Sequence, residues 1–285
     1  TGGFATPKEP NATVRFTGGN GPTQVFVGMF EARTSPAADT DPRTKKVSST
    51  ARFAPGTYDV VYVSRKGGFH RATLRLRAGE TRTVRMPRHR NLAAGAAGAK
   101  VIDATPGSLK TGALIDGTED TNWAGITAEN VDESNPYVAV DLAGGTSTIR
   151  RVQVSALLNP VDGPEDVDQA SGSRFTALRR FAIEVCTSGC ESSKARWTRV
   201  FTSAPDAFPS VRPRPTAPTQ ALRSFRLPDP ARAAAVRLVT LENQCTGFKG
   251  YAGELDNDPI TTTDCATGSD RGTIVHAAEL QVFSR

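Results

Sequence analysis

Apolar and polar residues alternate with a period of two through most of this chain, and the alternating runs are bounded by Gly, Pro, Asn or Asp. Such a pattern is the mark of antiparallel strands that lay one face on a core. In the first ninety residues it predicts strands over 12–17, 24–32, 47–53, 57–65, 70–77 and 82–87. Within the fourth of these, Tyr58, Val60 and Tyr62 alternate with Asp59, Val61 and Val63, as a sheet with two half-buried faces requires. Further along, strands are predicted over 137–142, 148–157, 177–186, 197–203, 220–227, 234–242 and 273–284. Val138, Val140 and Leu142 share one face, as do Val152, Val154 and Ala156, and then Phe181, Ile183 and Val185. Helical periodicity is scarce. The fold class expected is all-β: a small β-sandwich followed by a jelly-roll β-sandwich, since seven or eight strands with long loops favour a jelly roll over an up-and-down barrel.

Length and composition sharpen this picture. A chain of 285 residues exceeds one ordinary domain, and its composition shifts near residue 90, so domains are expected at 1–89 and 90–285. Hydrophobic content of 38%, charged content of 22% and mean hydropathy of −0.35 place the chain with globular proteins. No apolar run reaches the roughly 20 residues of a membrane helix, so no membrane insertion is expected. The net charge of +6 is uneven: residues 1–90 hold 16 Lys/Arg against 6 Asp/Glu, and residues 91–285 hold 19 against 23. Arg71, Arg75, Arg77, Arg82 and Arg85 are read as cations on one sheet face. A solvated face is the first reading of them. Docking on an anionic polymer is the second, and without interleaved aromatics nucleic acid is not expected as a partner.

Cys186, Cys190, Cys245 and Cys265 are read as two disulfides, Cys186–Cys190 and Cys245–Cys265, and hence as a sign of an oxidising, extracellular compartment. A four-cysteine zinc site is the competing idea, but the second short pair of a zinc ribbon is missing. The chain opens on Thr1-Gly2-Gly3-Phe4, and is read as a mature or excised piece of a secreted protein that could carry a catalytic domain upstream. Its histidines are His70, His89 and His276, scattered along the chain, with no H-E-x-x-H, no G-x-S-x-G and no phosphate-cradling loop. Asp162, Glu165, Asp166 and Asp168 crowd one loop rather than opposing each other as a glycosidase pair must. The fragment is therefore expected to be non-catalytic.

Two resemblances add to this. Ala54-Pro55-Gly56-Thr57-Tyr58-Asp59-Val60, with Gly67-Gly68-Phe69 and Ala78-Gly79-Glu80-Thr81, is similar to the prealbumin-like or carboxypeptidase-regulatory type of sandwich. In the second half, Asn91-Leu92-Ala93 is followed by Asp116-Gly117-Thr118-Glu119-Asp120-Thr121-Asn122-Trp123, then Val140-Asp141-Leu142, and finally Ala278-Glu279-Leu280-Gln281-Val282-Phe283. This order resembles the discoidin, or coagulation factor 5/8 type C, family of galactose-binding-like domains. The Asp-Gly turn with its returning Thr offers hard oxygens of the kind calcium takes. The resemblance implies a structural Ca2+ held by the carbonyls of Ala113 and Ala278, by Asp116 and Thr121, and by Glu279. Trp123 and Trp197 are both expected in the core.

Ligands of such a sandwich are expected on loops at one end. Phe248 or Tyr251 as an aromatic face, with Asn159, Arg174 or Asn243 as polar partners, would suit a glycan or a cell-surface polymer. Modules of both types often follow the catalytic domains of secreted bacterial metallopeptidases. The expected function is thus a non-catalytic binding module that targets an attached catalytic domain to glycans or surface material. The alternative is a protein-docking or structural accessory region of a secreted metallopeptidase without sugar binding.

Overall fold

The computed structural model describes residues 10–20, 23–28, 30–33, 50–126, 135–157, 176–209, 222–247 and 274–285. The chain divides into two compact units, Thr1–Arg90 and Asn91–Arg285.

The smaller unit is built from β1 (Ala12–Gly18), β2 (Gln24–Val27), β3 (Phe30–Arg33), β4 (Thr50–Phe53), β5 (Gly56–Ser64), β6 (Gly68–Leu76) and β7 (Thr81–Met86). They form a three-stranded sheet ordered β4-β1-β7 and a four-stranded sheet ordered β3-β2-β5-β6. Val14 and Phe16 from the first sheet meet Val25, Val60, Tyr62 and Leu74 from the second in one core. This makes a sandwich. The single strand expected over 24–32 is two strands, because Gly28 stands at φ +59° and turns the chain back so that Val27 pairs with Phe30. A second expectation also changes: the arginines of 71–85 do not share a face. β6 belongs to the four-stranded sheet and β7 leaves it to pair in parallel with β1 across the sandwich.

The larger unit holds β8 (Lys100–Ala104), β9 (Trp123–Ile126), β10 (Tyr137–Asp141), β11 (Ser147–Ser155), β12 (Leu178–Cys186), β13 (Thr198–Thr202), β14 (Leu222–Ala233), β15 (Ala235–Asn243), β16 (Ile274–Ala277) and β17 (Glu279–Phe283). A five-stranded sheet runs β13-β12-β15-β10-β8, a three-stranded sheet runs β14-β11-β17, and β16 pairs with β9. Val138, Val140, Phe181, Ile183 and Leu238 of the first sheet pack with Val152, Val154, Leu227, Leu280 and Val282 of the second. At the edge of this core the rings of Phe181 and Phe225 meet edge to face at 4.9 Å. The unit is a jelly-roll β-sandwich, and the inward faces are those the alternation picks out.

Two short strands, β8 and β9, escape the alternation, since four or five residues flanked by turns leave too short a pattern to read. The long closing strand expected over 273–284 is broken at Ala278. Its first part pairs with β9 and its second with β11, so the chain changes sheet there. Trp123 is fully buried, as expected. Trp197 is not in the core: it is half-buried on the outer side of the five-stranded sheet, 4.8 Å from the Arg237 guanidinium. The Cys186–Cys190 disulfide closes the turn after β12. Cys245 is disulfide-bonded too, while Cys265 lies outside the described residues.

Candidate functional site

The site forms where the first long loop of the larger unit meets its last strand. A short 3-10 helix, Thr111–Ile115, buries Ala113, Leu114 and Ile115 and so anchors the residues that follow. Asp116 ends it. Gly117 comes next at φ +84°, a conformation that side chains with a Cβ rarely adopt, and the chain reverses there. The Asp116 carboxylate organises the turn: Oδ1 accepts from the Thr118 amide at 3.0 Å and Oδ2 accepts from the Thr121 hydroxyl at 2.6 Å. An Asp at the head of a reversal typically does this.

Glu279 reaches the same turn from 162 residues away in sequence: its Oε2 accepts the Gly117 amide at 3.2 Å. The break at Ala278 makes this possible, because the switch of sheets starts β17 beside Ser155 and sets Glu279 opposite it. Behind Glu279 stands a relay of polar side chains. Gln281 Nε2 donates to Glu279 Oε1 at 3.2 Å, Gln153 Nε2 donates to Gln281 Oε1 at 2.7 Å, and Arg151 donates to Gln153 at 2.9 Å. All of Glu279 is buried. A third acid lies close by: Glu119, also buried, accepts from the Ser155 hydroxyl.

Burial pushes the Glu279 carboxyl well above the usual carboxylate range. The Gln281 and Gly117 hydrogen bonds pull it down, while Asp116 and Glu119 push it further up. A buried acid beside two others gains from any positive charge placed among them. No group of three or more His, Cys, Asp or Glu side chains among the described residues forms a metal cage by itself. A cation at this turn would have to complete its shell with hydroxyl and carbonyl oxygens. Thr121 and the carbonyls of Ala113 and Ala278 are oxygens of that sort, and the donor set is hard throughout, so the residues present fit Ca2+ better than a softer ion.

The expected ligand residues divide differently. Asn159, Arg174, Phe248 and Tyr251 lie outside the described residues. Asn243 is described and is buried. Its Nδ2 donates to the Ile274 carbonyl at 2.7 Å and its Oδ1 accepts from the Thr246 amide at 2.8 Å, so its carboxamide braces the turn after β15 instead of facing solvent. Glu119, Ser155 and the Gln153–Gln281 pair were not picked out by the sequence. Glu119 had a signal, an acid inside the Asp116–Trp123 turn. The glutamines had none, because their meeting depends on which strands are neighbours.

Two sheets closed around one core, with a polar turn and the last strand locked at one pole, make the larger unit a jelly-roll β-sandwich. Solved structures similar to the chain include carbohydrate-binding modules and an F5/8 type C domain. One is a family 32 carbohydrate-binding module of Clostridium perfringens in complex with GalNAc-β-1,3-galactose, 19% identical, covering 68% of this chain and 99% of that one with a TM-score of 0.38. Another is the family 32 module of Clostridium perfringens NanJ in complex with galactose, at 12% identity, 68% and 98% coverage and a TM-score of 0.36. A third is an F5/8 type C domain of a Bacteroides fragilis protein, at 12% identity, 66% and 93% coverage and a TM-score of 0.37. No protein-family model matches the chain and no curated protein matches it.

Proposed function

We propose that the larger unit is a non-catalytic glycan-binding module of a secreted protein, stiffened by a structural Ca2+ and serving to hold an attached catalytic domain on glycans or cell-surface material. The observation that carries this reading is the contact of the Gly117 amide with the buried Glu279 carboxylate. It brings together the two segments that the discoidin resemblance pairs, and it sets an acid-rich pole where a hard cation would relieve repulsion. In this reading Asp116, Thr121, Glu279 and the carbonyls of Ala113 and Ala278 hold the ion. The strands are committed to packing, which leaves recognition to the loops. Asn159, Arg174, Phe248 and Tyr251 are assigned to the ligand on their chemistry, as an aromatic face with planar polar partners. Asn243 braces the turn through Thr246 that precedes Phe248 and Tyr251 in the sequence.

The reading is tested on the full chain in two steps. Ca2+ at about a hundredfold over its Kd should stabilise the protein by about 2.7 kcal/mol, seen as a rise in Tm. Glu279→Gln and Asp116→Asn should abolish that rise. A glycan array in Ca2+ should then give a signal that Tyr251→Ala or Phe248→Ala removes. Silence on every glycan together with retention on protein substrate would support instead the accessory region of a metallopeptidase, and a Tm indifferent to Ca2+ would remove the metal from the account.

A further inference from the structure

In the smaller unit, the strands of the sheet β4-β1-β7 place no acidic residue on its outward face, among the described residues. Cross-strand partners lie on the same face of a sheet, so the register sorts its side chains. Ala12, Val14, Phe16, Phe53 and Met86 point inward and are buried. Outside, Arg52, Thr13 and Thr81 form one row, Thr50, Arg15 and Thr83 the next, and Thr17 with Arg85 the third. The three arginines therefore lie on one diagonal, one to each strand and each one row further on. Diagonal neighbours in a sheet stand roughly 7–8 Å apart at their bases. All three are exposed, and none takes part in an ion pair among the described residues. Arg88 continues the line beyond the strand end: its Nε and the Arg85 Cγ lie 3.8 and 3.5 Å from the place a Cβ on Gly18 would take.

We propose that this face binds a linear acidic polysaccharide, with its sulfate or carboxylate groups on the diagonal of arginines. A guanidinium offers paired N–H donors that match the oxygens of either group. Between the arginines stand threonine hydroxyls, which donate to and accept from sugar hydroxyls equally well. Charge complementarity extends over the whole unit, since residues 1–90 hold 16 Lys/Arg against 6 Asp/Glu. Nucleic acid is the poorer match. No aromatic ring stands among these rows to stack a base, and a three-stranded sheet face offers no helix or two-stranded ribbon to enter a groove.

The test uses the full chain with four probes: a sulfated heparin-type oligosaccharide, polygalacturonate, uncharged dextran and double-stranded DNA, each titrated at about 50 and about 200 mM salt. The two acidic probes separate sulfate from carboxylate as the preferred group. The chain should bind at least one of them and not dextran. The triple variant Arg15→Gln/Arg52→Gln/Arg85→Gln should bind at least about tenfold more weakly, with a salt dependence reduced by about two to three. Arg71→Gln/Arg75→Gln/Arg77→Gln removes the same charge from β6 and the turn after it, and should change affinity by less than about twofold. Circular dichroism checks that both triples fold, and Arg15→Gln alone, at the middle of the line, should reproduce the loss in weaker form. Equal losses in the two triples, tighter binding of DNA through the same arginines, or no binding of either acidic polysaccharide would overturn the proposal.

Discussion

Arginines on the outward face of a sheet meet opposite fates in the two sandwiches. On the five-stranded sheet of the larger unit, Arg199, Glu184 and Arg237 stand side by side on neighbouring strands. Glu184 accepts from Arg199 at 3.0 Å through one carboxylate oxygen and from Arg237 through the other. The Arg237 guanidinium is further held between Tyr137 and Trp197, at 4.6 and 4.8 Å from their ring centroids, and the Tyr137 hydroxyl donates to Asp103 at 2.9 Å. Both guanidiniums are answered from within the fold. On the smaller unit's three-stranded sheet, Arg15, Arg52 and Arg85 stand among threonines with no acid in the rows. The first arrangement stabilises the fold. The second has no acid to answer it among the described residues, and its charge is the basis of the docking proposed above.

That contrast can be broken at its strongest point by Glu184→Gln, which keeps the shape and removes the charge between two guanidiniums. Hydrogen bonds to charged partners contribute about 1.5–3 kcal/mol each, and Glu184 is nearly buried, so a loss of about 2 kcal/mol is expected. A shift of the denaturant midpoint at unchanged slope measures it.

A second, comparable effect concerns a buried base rather than an exposed one. His276 is buried, its Nδ1 lies 3.1 Å from the Thr176 hydroxyl, and burial lowers its pKa to about 4. In the unfolded chain the ring takes a proton near 6.5, so between those values the unfolded state binds more protons. The contribution of this neutral ring is therefore full above about pH 6.5 and shrinks as pH falls toward 4. From pH 7 to pH 5 the loss is about 2 kcal/mol, at 1.4 kcal/mol per pK unit. Unfolding free energies measured at the two pH values should show it in the native chain and not in His276→Asn.

The smallest effect sharpens the other side of the comparison. Arg15→Gln, Arg52→Gln and Arg85→Gln should each change stability by no more than about 0.5 kcal/mol, as surface substitutions without partners do. A loss near that of Glu184→Gln would mean that the arginine diagonal serves the fold after all.

Much of the architecture could be read along the chain. Val138 and Val140, Phe181 and Ile183, and Val152 and Val154 alternate with polar neighbours and all reach the core. The same reading misplaced Trp197, because an aromatic residue in a strand pattern looks apolar whichever side it faces. It also ran Val27 into Phe30 as one strand, although Gly28 between them was visible as a potential turn. At the acid-rich pole, the meeting of the Asp116 turn with Glu279 was implied by the discoidin resemblance, whereas Glu119, Ser155 and the glutamine relay were not.

The sequence by itself determined that this is an all-β chain, where most strands run and which of their faces turn inward, because side-chain alternation along a strand is a local property of the backbone. Only the tertiary structure decided which strands became neighbours. The parallel pairing of β1 with β7, the change of sheet at Ala278 and the division of the arginine run between two sheets all depend on packing between residues far apart in the chain. For that reason one acid ended fully buried against a turn 162 residues away, and three arginines ended in a line that no stretch of sequence displays.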